Sequence, residues 1–132
     1  MNRRTALKSV IAAPAALMAQ PGKGGLPIEL HTDLHVKLEE EAQLLKEFHD
    51  LYLPRIRKAP GFVSAKLLKF ENANIGKAPE HYNYRMVQVF QTEELREKWT
   101  LHEDHKIAWH KAIESHVQVP FIAFRYKVTG QS

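Results

Sequence analysis

The chain has no cysteine, which excludes disulfides, thiolate metal sites and a cysteine nucleophile. It also has no apolar run of about 20 residues, so no segment reads as a membrane-spanning helix. No glycine-rich phosphate loop, serine nucleophile elbow or carboxylate pair stands out along it. A basic stripe is missing as well. The formal net charge is +4, but Arg3, Arg4 and Lys8 lie in the first ten residues, and the sixteen bases beyond them face fifteen acids. A nucleic-acid-binding domain carries its positive charge on its folded part, so nucleic acid is not an expected partner. What remains is ordinary globular material. With 44% hydrophobic and 26% charged residues in a chain of 132, one folded domain is expected rather than disorder.

The N-terminus reads as an address. Residues 1–20 join a charged head, Asn2-Arg3-Arg4-Thr5-Ala6-Leu7-Lys8, to a small apolar run from Val10 to Ala19. That run suits a signal peptide and is too short for a membrane span. The paired arginines resemble the twin-arginine export signal, with Asn2 and Ala6 departing from its usual form. Cleavage after Ala15 or Ala19, and an exported, periplasmic or secreted protein, are the expectations. Residues 21–27, opening Pro21-Gly22-Lys23-Gly24-Gly25, form a flexible linker, leaving residues 28–129 as the domain.

Beyond the linker the hydrophobic period alternates between two and about 3.6. Ile28 to Val36 places Ile28, Leu30, Leu34 and Val36 on one side, with Thr32 between, against Glu29, His31, Asp33 and His35 on the other; this is a strand. Leu38, Ala42, Leu45, Phe48 and Tyr52 then recur at helical spacing, up to Pro54 and Pro60-Gly61. Phe62–Phe70 and Tyr82–Gln91 read as strands on either side of a polar loop from Glu71 to Glu80. Thr92 is a natural helix cap, and one helix is expected from there to about Ser115. Val117–Val128 is the last strand, with Pro120 marking a bulge or an unpaired edge position. Strand, helix, strand, strand, helix, strand is the ferredoxin-like βαββαβ order of an α+β fold, with two helices on one face of an antiparallel sheet. Strands apolar on both sides (Leu68 and Met86 on one parity, Leu67 and Val87 on the other) want cover on both sides. A homodimer supplies the second cover.

Two constellations carry chemistry. Trp99-Thr-Leu-His102-Glu-Asp-His105-Lys-Ile-Ala-Trp109-His110 holds both tryptophans and three of the eight histidines. On a helical wheel Leu95, Trp99, His102, Trp109 and Ile113 share a stripe, with His105 at its edge. Such a face either packs a core or lines a pocket. As a pocket it would stack an aromatic ligand on Trp99 and Trp109, with His102 and His105 as acid–base catalysts and His110 near the mouth. The second constellation is His31, Asp33 and His35, three projections from one strand face at about 6.5–7 Å intervals, a donor set suited to a transition metal. A polar strand face at a wet dimer interface explains the same row.

Leu53-Pro-Arg-Ile-Arg-Lys-Ala-Pro-Gly-Phe-Val63, the Tyr82–Phe90 strand and the Trp99, His105, Trp109 run together resemble the antibiotic-biosynthesis-monooxygenase domain, a branch of the dimeric α+β barrel superfamily. The resemblance covers roughly Ile28 to Val128. It implies a small homodimeric monooxygenase acting on an aromatic or phenolic molecule without a bound organic cofactor. Asn83, Tyr84, Arg85 and Trp99 match in kind the pocket of quinone-forming members. Trp99 and His110 match roughly the helix pair of haem-degrading members, whose first-strand asparagine has no counterpart here. The alternative is an exported dimer that binds haem, a metal or a small hydrophobic ligand without catalysis.

Overall fold

A computed structural model describes residues 26–132; the expected signal and most of the linker lie outside them. Four strands, β1 (Ile28–Val36), β2 (Phe62–Lys69), β3 (Tyr84–Phe90) and β4 (Val117–Lys127), form one sheet in the order β2-β3-β1-β4. Every neighbouring pair is antiparallel. Both helical crossovers jump one strand, as the ferredoxin-like arrangement requires.

The first crossover is a helical arm of four parts: a tight turn Leu38–Glu40, α1 (Glu41–Glu47), a wide turn Phe48–Tyr52 and α2 (Leu53–Ile56). Pro54 therefore does not end the helix. It lies in the first turn of α2, and the wide turn before it accommodates a ring that lacks an N–H. Leu44, Phe48, Tyr52 and Ile56 recur every fourth residue and bury against the sheet, each contributing about 1.5–3 kcal/mol of apolar transfer.

The second crossover departs from the expected single helix. It comprises α3 (Glu93–Leu101), α4 (Glu103–Ala108), a wide turn Trp109–Ile113 and a tight turn Glu114–His116. Thr92 caps α3, its Oγ1 accepting from the Leu95 amide at 3.1 Å. The break falls at His102, which is extended (φ −76°, ψ 148°) and caps α4 by accepting the Asp104 amide on Nδ1 at 3.0 Å. A side-chain cap followed by Glu103 and Asp104 starts a new helix here instead of continuing the old one. The wheel drawn through the whole stretch is therefore reset: His102 turns out to solvent and His105 turns in.

Thr32, Leu34 and Val36 of β1 and Tyr84, Met86, Gln88 and Phe90 of β3 face the helices and are buried. Irregularities interrupt the β2–β3 register between Phe62 and Ser64 and the β1–β4 register between Asp33 and His35; the second lies opposite Pro120. The other side of the sheet carries Val87, Ile122, Phe124, Tyr126 and the Asp33–Arg85 pair without a covering layer among the described residues. Phe124 is 45% exposed there and Tyr126 50%.

The turn into β2 depends on Gly61, whose φ of +83° favours glycine. A Cβ at that position would collide with the Leu95 side chain, so the turn and α3 pack in direct contact.

Candidate functional site

A cleft of about 210 Å³ opens between the helix-facing side of the sheet and the second helical arm. Its floor is Leu30 and Thr32 of β1, Gln88 of β3 and Ala123 of β4; its wall is Arg96, Thr100, His105, Trp109 and Phe121. The reset at His102 is what aims His105 into this space.

His105 is the chemical centre. The edge of Trp99 meets its ring at 5.3 Å, and Trp109 lies nearly parallel to it at 6.1 Å. Its Nδ1 is buried with no hydrogen-bond partner among the described residues. Burial first, and with it the charges of Arg96 and Lys106, hold its pKa below the ordinary histidine value, outweighing a hydrogen bond with the Thr100 backbone that pulls the other way. The imidazole is therefore neutral at pH 7. Trp109 is fixed edge-to-face on Phe121 at 5.2 Å, so the aromatic wall is rigid.

Beneath the cleft, Gln88 Nε2 donates to the Tyr52 hydroxyl at 2.7 Å. Tyr52 is fully buried, and that burial pushes its pKa up; the phenol stays neutral and holds Gln88 in place. The Trp99 indole packs edge-on against Tyr52 at 6.4 Å, its Nε1 outside hydrogen-bond geometry. At the rim Arg96 grips Glu93 through Nε and Nη2, both at 2.7 Å, and points Nη1 at Thr100 Oγ1 at 3.3 Å. Arg125 shares the same carboxylate at 2.9 Å.

The expected site residues are distributed over several places. His105 and Trp109 line the cleft, and Trp99 buttresses His105 from the core. His102 stacks over Trp99 at 6.4 Å and borders a separate surface cleft with Arg55, Lys58 and Lys98. His110 is exposed and pairs with Glu114 at 3.2 Å. Asn83, Tyr84 and Arg85 border another groove, which shares no residue with the His105 cleft. Asn83 clasps Val36, accepting its N–H and donating to its carbonyl, both at 2.8 Å. The Tyr84 hydroxyl donates to Glu41 at 3.0 Å, and burial pushes its pKa up to about 12.

The metal expectation needs correcting. His31, Asp33 and His35 do share the uncovered sheet face, yet they do not converge. His31 Nε2 binds Glu29 at 2.8 Å, and Arg85 takes both oxygens of Asp33 at 2.6 and 3.1 Å. Among the described residues no group of three or more such side chains is placed to hold a metal. His31 and Asp33 are committed to Glu29 and Arg85, and extended-strand spacing keeps His35 apart from them.

Haem fits no better. The space beside His105 is below the roughly 300–1,000 Å³ of pockets for larger ligands. His102 uses its Nδ1 as a cap and His110 faces solvent.

Sequence reasoning missed Thr32, Gln88, Arg96, Thr100 and Phe121. For two of them a signal exists. Thr32 and Gln88 are polar residues at the inward parity of otherwise apolar strands, positions where a polar group requires a partner.

No protein-family model and no curated protein matches the sequence significantly. Solved structures do match. A dimeric ferredoxin-like protein of unknown function from Jannaschia sp. CCS1 superposes with a TM-score of 0.62 at 12% identity, over 77% of this chain and 99% of that one. A point mutant of SnoaB, a cofactor-independent oxygenase from Streptomyces nogalater, gives 0.60 at 11% identity, over 80% and 95%. A candidate antibiotic biosynthesis monooxygenase from Caulobacter crescentus CB15 gives 0.60 at 15% identity, over 79% and 91%. Likeness at such identities establishes fold alone, and the fold it establishes is the ferredoxin-like α+β arrangement.

Proposed function

We propose that the His105 cleft binds a small phenol-like aromatic and promotes its oxidation by O2, the protein supplying a base and a dry aromatic slot without an organic cofactor. The observation that carries this reading is the neutral His105 ring that lines the cleft between two indoles, its Nδ1 without a hydrogen-bond partner among the described residues. A neutral imidazole keeps one ring nitrogen with a free lone pair, suited to a phenolic proton. The Arg96 charge, which disfavours the imidazolium, favours the phenolate formed in exchange.

The phenolate passes one electron to O2, and the phenoxyl and superoxide recombine to form a ring carbon–oxygen bond. The proton held by His105 completes a hydroperoxide. Loss of the ring hydrogen as a proton, with hydroxide from the distal oxygen, leaves a quinone and one water. Phenol and O2 are thereby consumed one to one. The cofactor-independent oxygenase among the structural neighbours is compatible with this economy. Oxygen-electrode assays with a panel of phenols test it. Uptake at one O2 per phenol supports the oxygenase; saturable binding with no uptake leaves a ligand-binding protein without catalysis.

We further infer that two copies pair through the uncovered sheet face, on the strength of Ile122, Phe124 and Tyr126 exposed there and of neighbours described as dimeric. Light scattering that returns a monomer at micromolar concentration contradicts this. The Arg3-Arg4 head and apolar run support a proposal of export. A reporter fused to residues 1–20 should leave the cytoplasm, and should stay there once both arginines are changed to lysine.

A further inference from the structure

We infer that Gln88 is a specificity-determining residue of the cleft, selecting ligands that carry a second hydrogen-bond donor besides the ionising hydroxyl. The inference rests on the reading of the cleft as a phenol site.

A carboxamide has two different ends, an NH2 that donates and an oxygen that only accepts. In Gln88 the nitrogen is committed to the Tyr52 hydroxyl at 2.7 Å, beneath the floor of the cleft. The residue is itself 3% exposed and lines the cleft, so the end left for a ligand is the carbonyl oxygen. That oxygen is held, not merely present. Tyr52 is fully enclosed by Phe48 and Trp99 and cannot swing away, and an acceptor fixed this way is preorganised.

The neutral His105 ring lines the same cleft and offers an acceptor nitrogen of its own. The cleft thus brings a Gln88 carbonyl and a His105 ring nitrogen together, beside Thr32, Arg96 and Thr100, on a surface otherwise aromatic and aliphatic. A ligand with one hydroxyl satisfies His105 and leaves the Gln88 carbonyl dry and unpaired, a penalty large enough to discriminate. A ligand with a second hydroxyl or an amino group satisfies both. Charge works in the same direction, because an anionic group beside a carbonyl oxygen is repelled. The second group is therefore a neutral donor and not a carboxylate.

Binding followed by tryptophan fluorescence under nitrogen tests this, with anisole, phenol, 4-methoxyphenol, hydroquinone and 4-aminophenol as probes. The expected order places hydroquinone and 4-aminophenol about ten-fold tighter than phenol or 4-methoxyphenol, with anisole weakest. Gln88→Leu should remove the gap between one-donor and two-donor ligands, bringing hydroquinone and phenol to about the same affinity. Tyr52→Phe, which frees the amide to turn, should narrow the gap less. If phenols bind and the gap is absent, or survives in Gln88→Leu, the inference fails and the phenol site stands. If no probe binds the wild-type protein, the reading of the cleft fails first. Should Gln88→Leu not fold, Gln88→Glu serves: its carboxylate must favour the two-donor ligands further if the exposed end is an acceptor, and an unchanged order overturns the proposal.

Discussion

His105 meets two requirements at once, burial that keeps it neutral and an Nδ1 without a hydrogen-bond partner among the described residues. Replacing it with alanine should lower kcat/KM for phenol oxidation by about 10²–10⁴, the usual range for a positioned base, with binding of anisole unchanged. The pH dependence has a definite sign. A base works when unprotonated, and this pKa lies below the ordinary value of about 6.5, so activity should fall on acidification with its midpoint below that value. A profile that instead rose through pH 7–8 would exclude His105 as the group that titrates. Gly61→Ala tests a different residue-scale claim. A positive φ and a collision with Leu95 together predict a loss of about 1–3 kcal/mol, read as a lower midpoint in thermal unfolding.

At the scale of elements, the two helical arms are latched at their ends. His116, at the close of the second arm, bonds Glu40 through Nδ1 and Glu47 through Nε2, both at 2.7 Å. Burial alone would lower its pKa, but the two carboxylates outweigh burial and raise it; His116 in turn, with Gln43, lowers that of Glu47. The raised histidine stabilises the fold fully below the unfolded value of about 6.5 and loses that contribution as pH climbs through its folded pKa. The lowered glutamate contributes above its unfolded value, about 4.3, and loses its share as pH falls through its folded one. Stability from this latch therefore peaks between those limits. His116→Ala should depress Tm at pH 6, by about 4–8 °C per kcal/mol lost, and much less at pH 8.5. Equal depression at both values would mean that packing, not charge, makes the contact.

The latch was not legible in the sequence, since its partners stand 76 and 69 residues apart. The strand and helix order was legible, because hydrophobic period reports which face is buried. The break at His102 was not, because a side-chain cap inside an otherwise periodic run leaves no trace in that period. This one local event moved His102 out of the cleft's wall and His105 into it. Gln88 and Thr32 were half legible: parity marked them as buried polar groups, while Gln88's bond to Tyr52 required the fold.

Among the described residues, the sheet has one face under helices and one face bare, and the ion-paired Asp33–Arg85 row crosses the bare one. A dimer through that face would set the polar row centrally, with Phe124 and Tyr126 alongside. Phe124→Asp should then convert dimer to monomer in light scattering while the far-ultraviolet circular dichroism stays unchanged. The cleft lies on the opposite side of the sheet, so the monomeric variant should keep its affinity for phenol.

The claim on which the rest depends is that His105 accepts a phenolic proton inside the cleft. An anaerobic titration with a nitrophenol, held below its solution pKa so that free ligand stays protonated, reads that transfer as visible phenolate absorbance. Wild-type protein should raise the phenolate fraction above that of the free ligand at the same pH as the cleft fills, and His105→Ala should bind the ligand without that rise. Equal phenolate in both proteins, or none in either despite binding, would contradict the account.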